Sequence, residues 1–210
     1  MFYSKFKELV NDKSKEVYTV EELLDYFGES TILVGLIISN IITSLPLPPW
    51  GGGLETLPGG ILSIIFAVQG LLGLEHIYLP KWMKKTEINV TLLTASDFMP
   101  SVFEFIDNHI VPDREKWIMN RTTEILMYIL VIANALLMLV PIMFTNGPPS
   151  QSITAMAFTW LLGDGLYFMI CLGIACFVFI FYVFLGIVFS KWLYRTRRYW
   201  SFGVLGRKRR

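Results

Sequence analysis

The placement of the cations limits this chain more than any other feature. All 18 Lys and Arg residues fall in three blocks. Lys5, Lys7, Lys13 and Lys15 precede residue 31; Lys81, Lys84, Lys85, Arg114, Lys116 and Arg121 form the second block; the remaining eight run from Lys191 to the end. Residues 31–80 and 122–190 contain none. Moving a cation to the centre of a bilayer costs roughly 2.5 to 3.5 kcal/mol on insertion scales, so long intervals without one mark chain immersed in lipid. A soluble domain of this size carries more charge than the 17% found here, and 54% of the residues are hydrophobic. The expected fold class is therefore all-α, a polytopic membrane protein. Residues 1–18 are charged and mixed, without the apolar core of a cleavable leader.

The chain divides into five stretches: an N-terminal cytoplasmic helical region (1–30), a first membrane hairpin (31–80), an interfacial amphipathic segment (81–121), a second membrane unit (122–190) and a basic tail (191–210). Thr19-Val20-Glu21-Glu22 reads as a capping box opening a short helix that Gly28 closes. The first apolar run, Thr31–Leu45, rises only about 22 Å as a helix, short of a hydrocarbon core near 30 Å. It meets a string from Pro46 through Pro48 and Trp50 to Gly53 that breaks any regular helix. A second run, Leu57–Leu74, follows. Val102, Phe105, Ile106 and His109 share one helical face against Glu104, Asp107 and Asn108, a pattern for a helix lying on the membrane or on the protein. The third run, from Thr122 to Phe144, is long enough to span, with Asn120 and Glu124 as capping groups. Pro141 sits near its end, and Asn146-Gly147-Pro148-Pro149 marks a second break. Ile153–Leu162 reaches about 15 Å, half a bilayer, and Leu166–Ser190 spans comfortably.

The positive-inside rule puts all three basic blocks on the cytoplasmic side. That wiring requires about four crossings plus a re-entrant or surface half-helix at Ile153–Leu162. Both halves also read as an apolar helix, a Pro/Gly break and another apolar stretch. This pattern suggests an internal repeat whose breaks meet at a site, although two independent turns would look the same.

Polar groups within the runs are few. Asn40, Gln69 and Asn134 are expected to bridge neighbouring helices, and Asn40 and Gln69 also stand as binding candidates, together with Pro46, Pro48, Glu55, Pro141 and Asn146 at the breaks. Asp164 has two readings: a proton- or cation-binding carboxylate beside a half-helix, or a surface turn residue between two glycines. Trp82, Lys84, Lys85, Arg195, Arg197 and Arg198 are placed at the membrane surface. Cys171 and Cys176 lie about 500° apart on a helix and are expected to be free, buried and packed as small hydrophobes. His76 and His109 have no metal-ligand spacing, and no nucleophile elbow, phosphate loop or zinc pattern occurs. Neither cofactor, metal nor nucleic acid is expected, and no catalysis, the alternative being an enzyme acting on lipid-linked sugars with Glu55 and Asp164 as its candidate residues. Asn89-Val90-Thr91 and Asn120-Arg121-Thr122 match the glycosylation triplet on the side where it goes unused.

The stretches "EELLDYFGE", "LPLPPWGGGLETLPGGILSIIFAVQGLLG" and "YLPKWMKK" resemble the ExoD family of exopolysaccharide-synthesis membrane proteins. "LVPIMFTNGPPSQSITAMAFTWLLGDG" is similar to the family's later break and acidic-glycine step. The chain departs from that pattern at Met143, where a second proline is expected, and in its lower charge near Asp164. The resemblance covers roughly residues 20–190 and implies a bacterial-type inner membrane, or an organelle membrane of bacterial origin. It names no chemistry. Two functions stay open: movement of a small solute or ion through a cavity between broken helices, with Asp164, Asn146 and the Pro46–Gly53 loop converging, or a non-catalytic subunit embedded in a larger complex. The expected partners are the bilayer and other membrane subunits or a second copy.

Overall fold

A computed structural model describes residues 2–11, 17–28, 31–44, 56–74, 78–79, 84–85, 87–89, 98–139 and 147–206. Pro46, Pro48, Glu55, Trp82, Pro141 and Asn146 lie outside the described residues. In order, the elements are α1 (Phe2–Asn11), β1 (Val17–Thr19), α2 (Val20–Phe27), α3 (Thr31–Ser44), α4 (Thr56–Leu71), β2 (Glu87–Asn89), α5 (Phe98–His109), α6 (Arg121–Met138), α7 (Gly147–Leu162) and α8 (Gly165–Gly206). The capping box at Thr19 is present, with Glu22 N–H donating to Thr19 Oγ1 at 3.2 Å and Thr19 N–H donating to Glu22 Oε2 at 2.9 Å. Asn120 caps α6 in the same way, its Oδ1 accepting from Thr122 and Thr123 N–H. Glu124, by contrast, pairs with Arg121.

Four helices form the bundle. α3 packs on α4 and α7, α4 packs on α6, and α6 packs on α7. Between them lies a core of Leu36, Phe66, Ala67, Met127, Val131, Ala135, Ile153, Met156 and Ala157, all buried. Small residues let the backbones approach, as lipid-embedded helices require. At Gly70 a Cβ would stand 2.3 Å from the Tyr128 ring.

The near end of the bundle is capped by α1, α2, α5 and a short antiparallel ribbon in which Val17 faces Asn89 and Thr19 faces Glu87. Lys7 reaches Asp107 at 3.1 Å and Lys84 reaches Glu21 at 3.3 Å. These contacts tie the N-terminal region to the middle segment. α5 buries Ile106 and exposes Glu104, Asp107 and Asn108, so it lies on the protein.

Two expectations are corrected. The stretch Ile153–Leu162 is no half-helix: α7 begins at Gly147 and is buried among α3, α6 and α8. Pro148 and Pro149 sit in its first turn, where no intrahelical N–H partner is missed, so the string read as a breaker is a helix start. At about 24 Å, α7 returns the chain to the near end. There the Gly163–Gly165 turn meets the loop after α5: Asp113 N–H donates to Gly163 O at 3.0 Å, and Gly165 N–H donates to Arg114 O at 2.9 Å. α8 therefore starts beside the start of α6 and runs parallel to it, with Asn134 Nδ2 donating to Ala175 O. Its 42 residues rise about 63 Å against about 27 Å for α6. The C-terminal part of α8 thus projects past the far end of the bundle, away from the near end where the described cations of the other two basic blocks lie.

α6 and α8 are both long and apolar enough to cross a membrane; in α8 only 11% of the residues from Gly165 to Trp192 are buried. Beyond Ala175 its outward residues include Phe177, Ile180, Phe184, Ile187 and Phe189, all exposed. Such a surface suits lipid or another apolar partner. Cys171 is half-buried and Cys176 exposed, both free, so the expected burial of Cys176 is also corrected.

Gly70→Ala places a methyl group inside the Tyr128 ring and is expected to destabilise the detergent-purified protein by about 1–3 kcal/mol, the usual cost of overpacking. Thermal unfolding checks this, and Tyr128→Leu in the same chain should recover much of the loss.

Candidate functional site

Two polar constructions occupy the near end. The first is built on Asp164. α7 closes in a Schellman turn: Gly163, at φ 76°, donates to Trp160 O, and Asp164 N–H donates to Thr159 O. That turn carries the Asp164 side chain inward, where it is fully buried. Its Oδ1 accepts from Leu166 N–H, Tyr167 N–H and Arg114 Nε, each at 3.1 Å. Its Oδ2 accepts from Val111 N–H at 2.9 Å and Arg114 Nη2 at 2.5 Å. Burial alone would raise this carboxyl. The Val111 and Tyr167 amides and the Arg114 guanidinium outweigh burial and hold it below the ordinary carboxylate range. Arg114 also lies over the Tyr167 ring, 5.1 Å from its centroid. Gly165 is required here, since a Cβ would stand 2.4 Å from Glu115 O.

Asp164 is therefore neither a free ion-binding carboxylate nor a surface turn residue. It caps α8 and clamps the α7–α8 turn to the Val111–Glu115 loop. α7 separates Asp164 from Gly147 by about 25 Å, and Pro141 and Asn146 of the second break lie outside the described residues.

The second construction is a cleft of about 500 Å³ where α3, α4, α6 and α7 open at the near end. The start of α3 supplies Ile32 and Leu33, the end of α4 supplies Gly70 and Leu74, α6 supplies Arg121, Glu124 and Tyr128, and α7 supplies Trp160 and Leu161. Arg121 Nη1 donates to Glu124 Oε2 at 2.9 Å. Its Nη2 donates to Gly70 O and Leu71 O at 3.2 and 3.0 Å, neutralising the last carbonyls of α4. Arg121 is half-exposed and Glu124 a quarter exposed. Trp160 is steadied by an edge contact with Phe168 at 4.9 Å. The cleft thus presents a fixed pair of opposite charges, two aromatic rings and an apolar wall.

The residues selected from sequence are dispersed. Asn40 donates to Ser63 Oγ and Leu36 O at 2.8 Å, joining α3 to α4 deep in the bundle. Asn134 links α6 to α8. Gln69 forms a reciprocal pair of bonds with the Tyr78 backbone at 3.2 and 2.8 Å, fixing the exit from α4. Asn40 and Asn134 bridge neighbouring helices as expected, Gln69 does not, and none of the three lines the cleft. Lys84 is held by Glu21, Lys85 is exposed, and Arg195 is exposed on α8; Arg197 and Arg198 belong to α8, with side chains outside the described residues. Sequence reasoning did not select Arg114, Arg121, Tyr128 or Trp160. Arg121 and Glu124 at the first turn of a membrane helix were the legible signal, since charges there face headgroups or a cavity. Among the described residues no cluster could hold a metal ion.

A family model described as "Exopolysaccharide synthesis, ExoD" matches residues 3–186. No curated protein and no solved structure matches the chain.

Asp164→Asn leaves the Arg114 guanidinium with a neutral partner and is expected to cost about 1–3 kcal/mol, the range for bonds to charged groups. A carboxylate held below its unfolded value contributes stability that is complete above about pH 4 and lost as the pH falls through the lower folded value. Thermal unfolding between pH 7 and pH 3 should show that acid-side loss in the native chain, and a smaller one in Asp164→Asn.

Proposed function

Because the chain belongs to the ExoD family, described by its role in exopolysaccharide synthesis, we propose that it supports that process from within a membrane by admitting a small solute to the cleft between its two hairpins. The observation that carries this reading is the Arg121–Glu124 pair standing beside Tyr128 and Trp160 in an open cavity, walled by every helix of the bundle. At the rim of a membrane bundle charged side chains face headgroups or a cavity, and here the pair lines the cavity.

The reading includes an internal repeat, α3–α4 and α6–α7. Three likenesses favour it. Each pair is joined through a proline-containing stretch, each second helix ends in Leu-Leu-Gly with the glycine at positive φ, and α4 and α7 close with the same pair of turn bonds. Movement through a path between the repeats would then be a rocking of one hairpin against the other. The chain is read as a bacterial-type inner-membrane protein, with no catalytic role. The near end carries the described basic residues of the first two blocks and is assigned to the cytoplasm.

A second reading, a subunit of a larger assembly, is favoured by one observation. α8 leaves the bundle and exposes large aromatics from Phe177 to Trp192, a surface that would suit another membrane protein as well as lipid. Isolation from native membranes in mild detergent separates the two: a monodisperse chain free of stoichiometric companions counts against the assembly.

Replacing the native gene with Glu124→Gln or Trp160→Ala should lower exopolysaccharide yield severalfold while membrane levels of the protein stay unchanged. Gel-filtered polysaccharide measured against immunoblotted protein provides the check. Undiminished yield in both strains would remove the cleft from the process.

A further inference from the structure

We propose that the cleft takes a zwitterionic group carrying an amine and a phosphate on a short linker; the inference rests on the cleft being the functional site and assigns its ligand class.

The depth of the cleft is the first argument. α8 begins at the near end, and from Leu166 to Trp192 it rises about 39 Å, close to the thickness of a bilayer with its headgroups. Trp192 and Tyr194 are exposed at one end of that span; at the other, Trp117 is 76% exposed one turn before α6. Aromatic residues of this kind settle at headgroup level. The mouth of the cleft, at the first turn of α6, therefore lies at headgroup level too.

The charge arrangement is the second. Arg121 and Glu124 are locked side by side, with Arg121 further held by the α4 carbonyls, so neither can swing away. A ligand of single charge would be attracted to one member of the pair and repelled by the other. A ligand with both charges on adjacent atoms can lie antiparallel to the pair, phosphate toward Arg121 and amine toward Glu124. Trp160, half-buried at the cleft wall, supplies an aromatic neighbour for the ammonium. Ile32 and Leu161 then line the space that an attached hydrocarbon would occupy. The same headgroup could come from a lipid or from a soluble phosphoamine.

The test uses the full-length protein purified from membranes containing equal phosphatidylethanolamine and phosphatidylglycerol, with bound lipid weighed by native mass spectrometry. Native protein should retain the ethanolamine lipid over the glycerol lipid, and Glu124→Gln should lose that preference by about tenfold or more, as expected for a charge-assisted bond. Arg121→Gln should lose it as well. Because Arg121 also caps α4, Glu124→Gln, which removes no cap, is the deciding variant, and its thermal unfolding is recorded alongside. Competition with soluble phosphoethanolamine identifies the source: displacement of the lipid at equal concentration supports a soluble ligand, and persistence of the lipid supports a membrane one. Equal retention of both lipids with no binding of phosphoethanolamine would overturn the proposal, as would a preference unchanged in Glu124→Gln. If exopolysaccharide yield still falls in Glu124→Gln after either of those results, the cleft keeps its function and only the ligand class is wrong.

Discussion

The carboxylate of Asp164 holds the architecture in register. It receives backbone N–H groups from Val111, Leu166 and Tyr167 and two bonds from Arg114, and so fastens the turn between α7 and α8 to the loop that leads into α6. A buried ion is expensive unless its lone pairs are filled, and here they are. The consequence is directional. α8 is forced to leave from the end at which α6 begins, and a continuous helix of 42 residues then has one place to go. It passes along α7 and α6, outruns them, and carries its basic tail beyond the far end.

That constraint also shapes the cleft. With α7 pinned at its C-terminus, Trp160 and Leu161 are held opposite the first turn of α6, while Arg121 draws the end of α4 toward the same point. Both second helices of the hairpins end beside the first turns of α3 and α6. A cavity at this junction has walls that can shift only if the hairpins move relative to each other, which suits a site that admits and releases a ligand.

Much of the architecture was legible in the residues. The cation-free intervals delimit the helices of the bundle, and the capping groups at Thr19 and Asn120 locate helix starts because a side-chain oxygen beside unpaired N–H groups is a local device. The failures have local causes as well. Pro148 and Pro149 read as a break, although the first turn of a helix tolerates proline; α7 consequently looks too short to cross, and the tail is expected at the near end, from which α8 instead leads away. The ribbon of Val17–Thr19 with Glu87–Asn89 was missed because three residues carry no measurable alternation. Asp164 drew notice as an intramembrane acid, but its partner, Arg114, lies 50 positions away, and no periodicity reports such a pairing. The cleft residues come from four helices and become neighbours only in the fold.

The direction of α8 is tested most directly by labelling in sealed membrane vesicles. With Cys171 and Cys176 replaced by alanine, single cysteines at Lys116 and at Tyr194 are treated with a thiol reagent that cannot cross the bilayer, before and after permeabilisation. Labelling of the two positions from opposite faces is the expected result. Labelling of both from the same face would contradict a spanning α8, and with it the headgroup-level placement of the cleft.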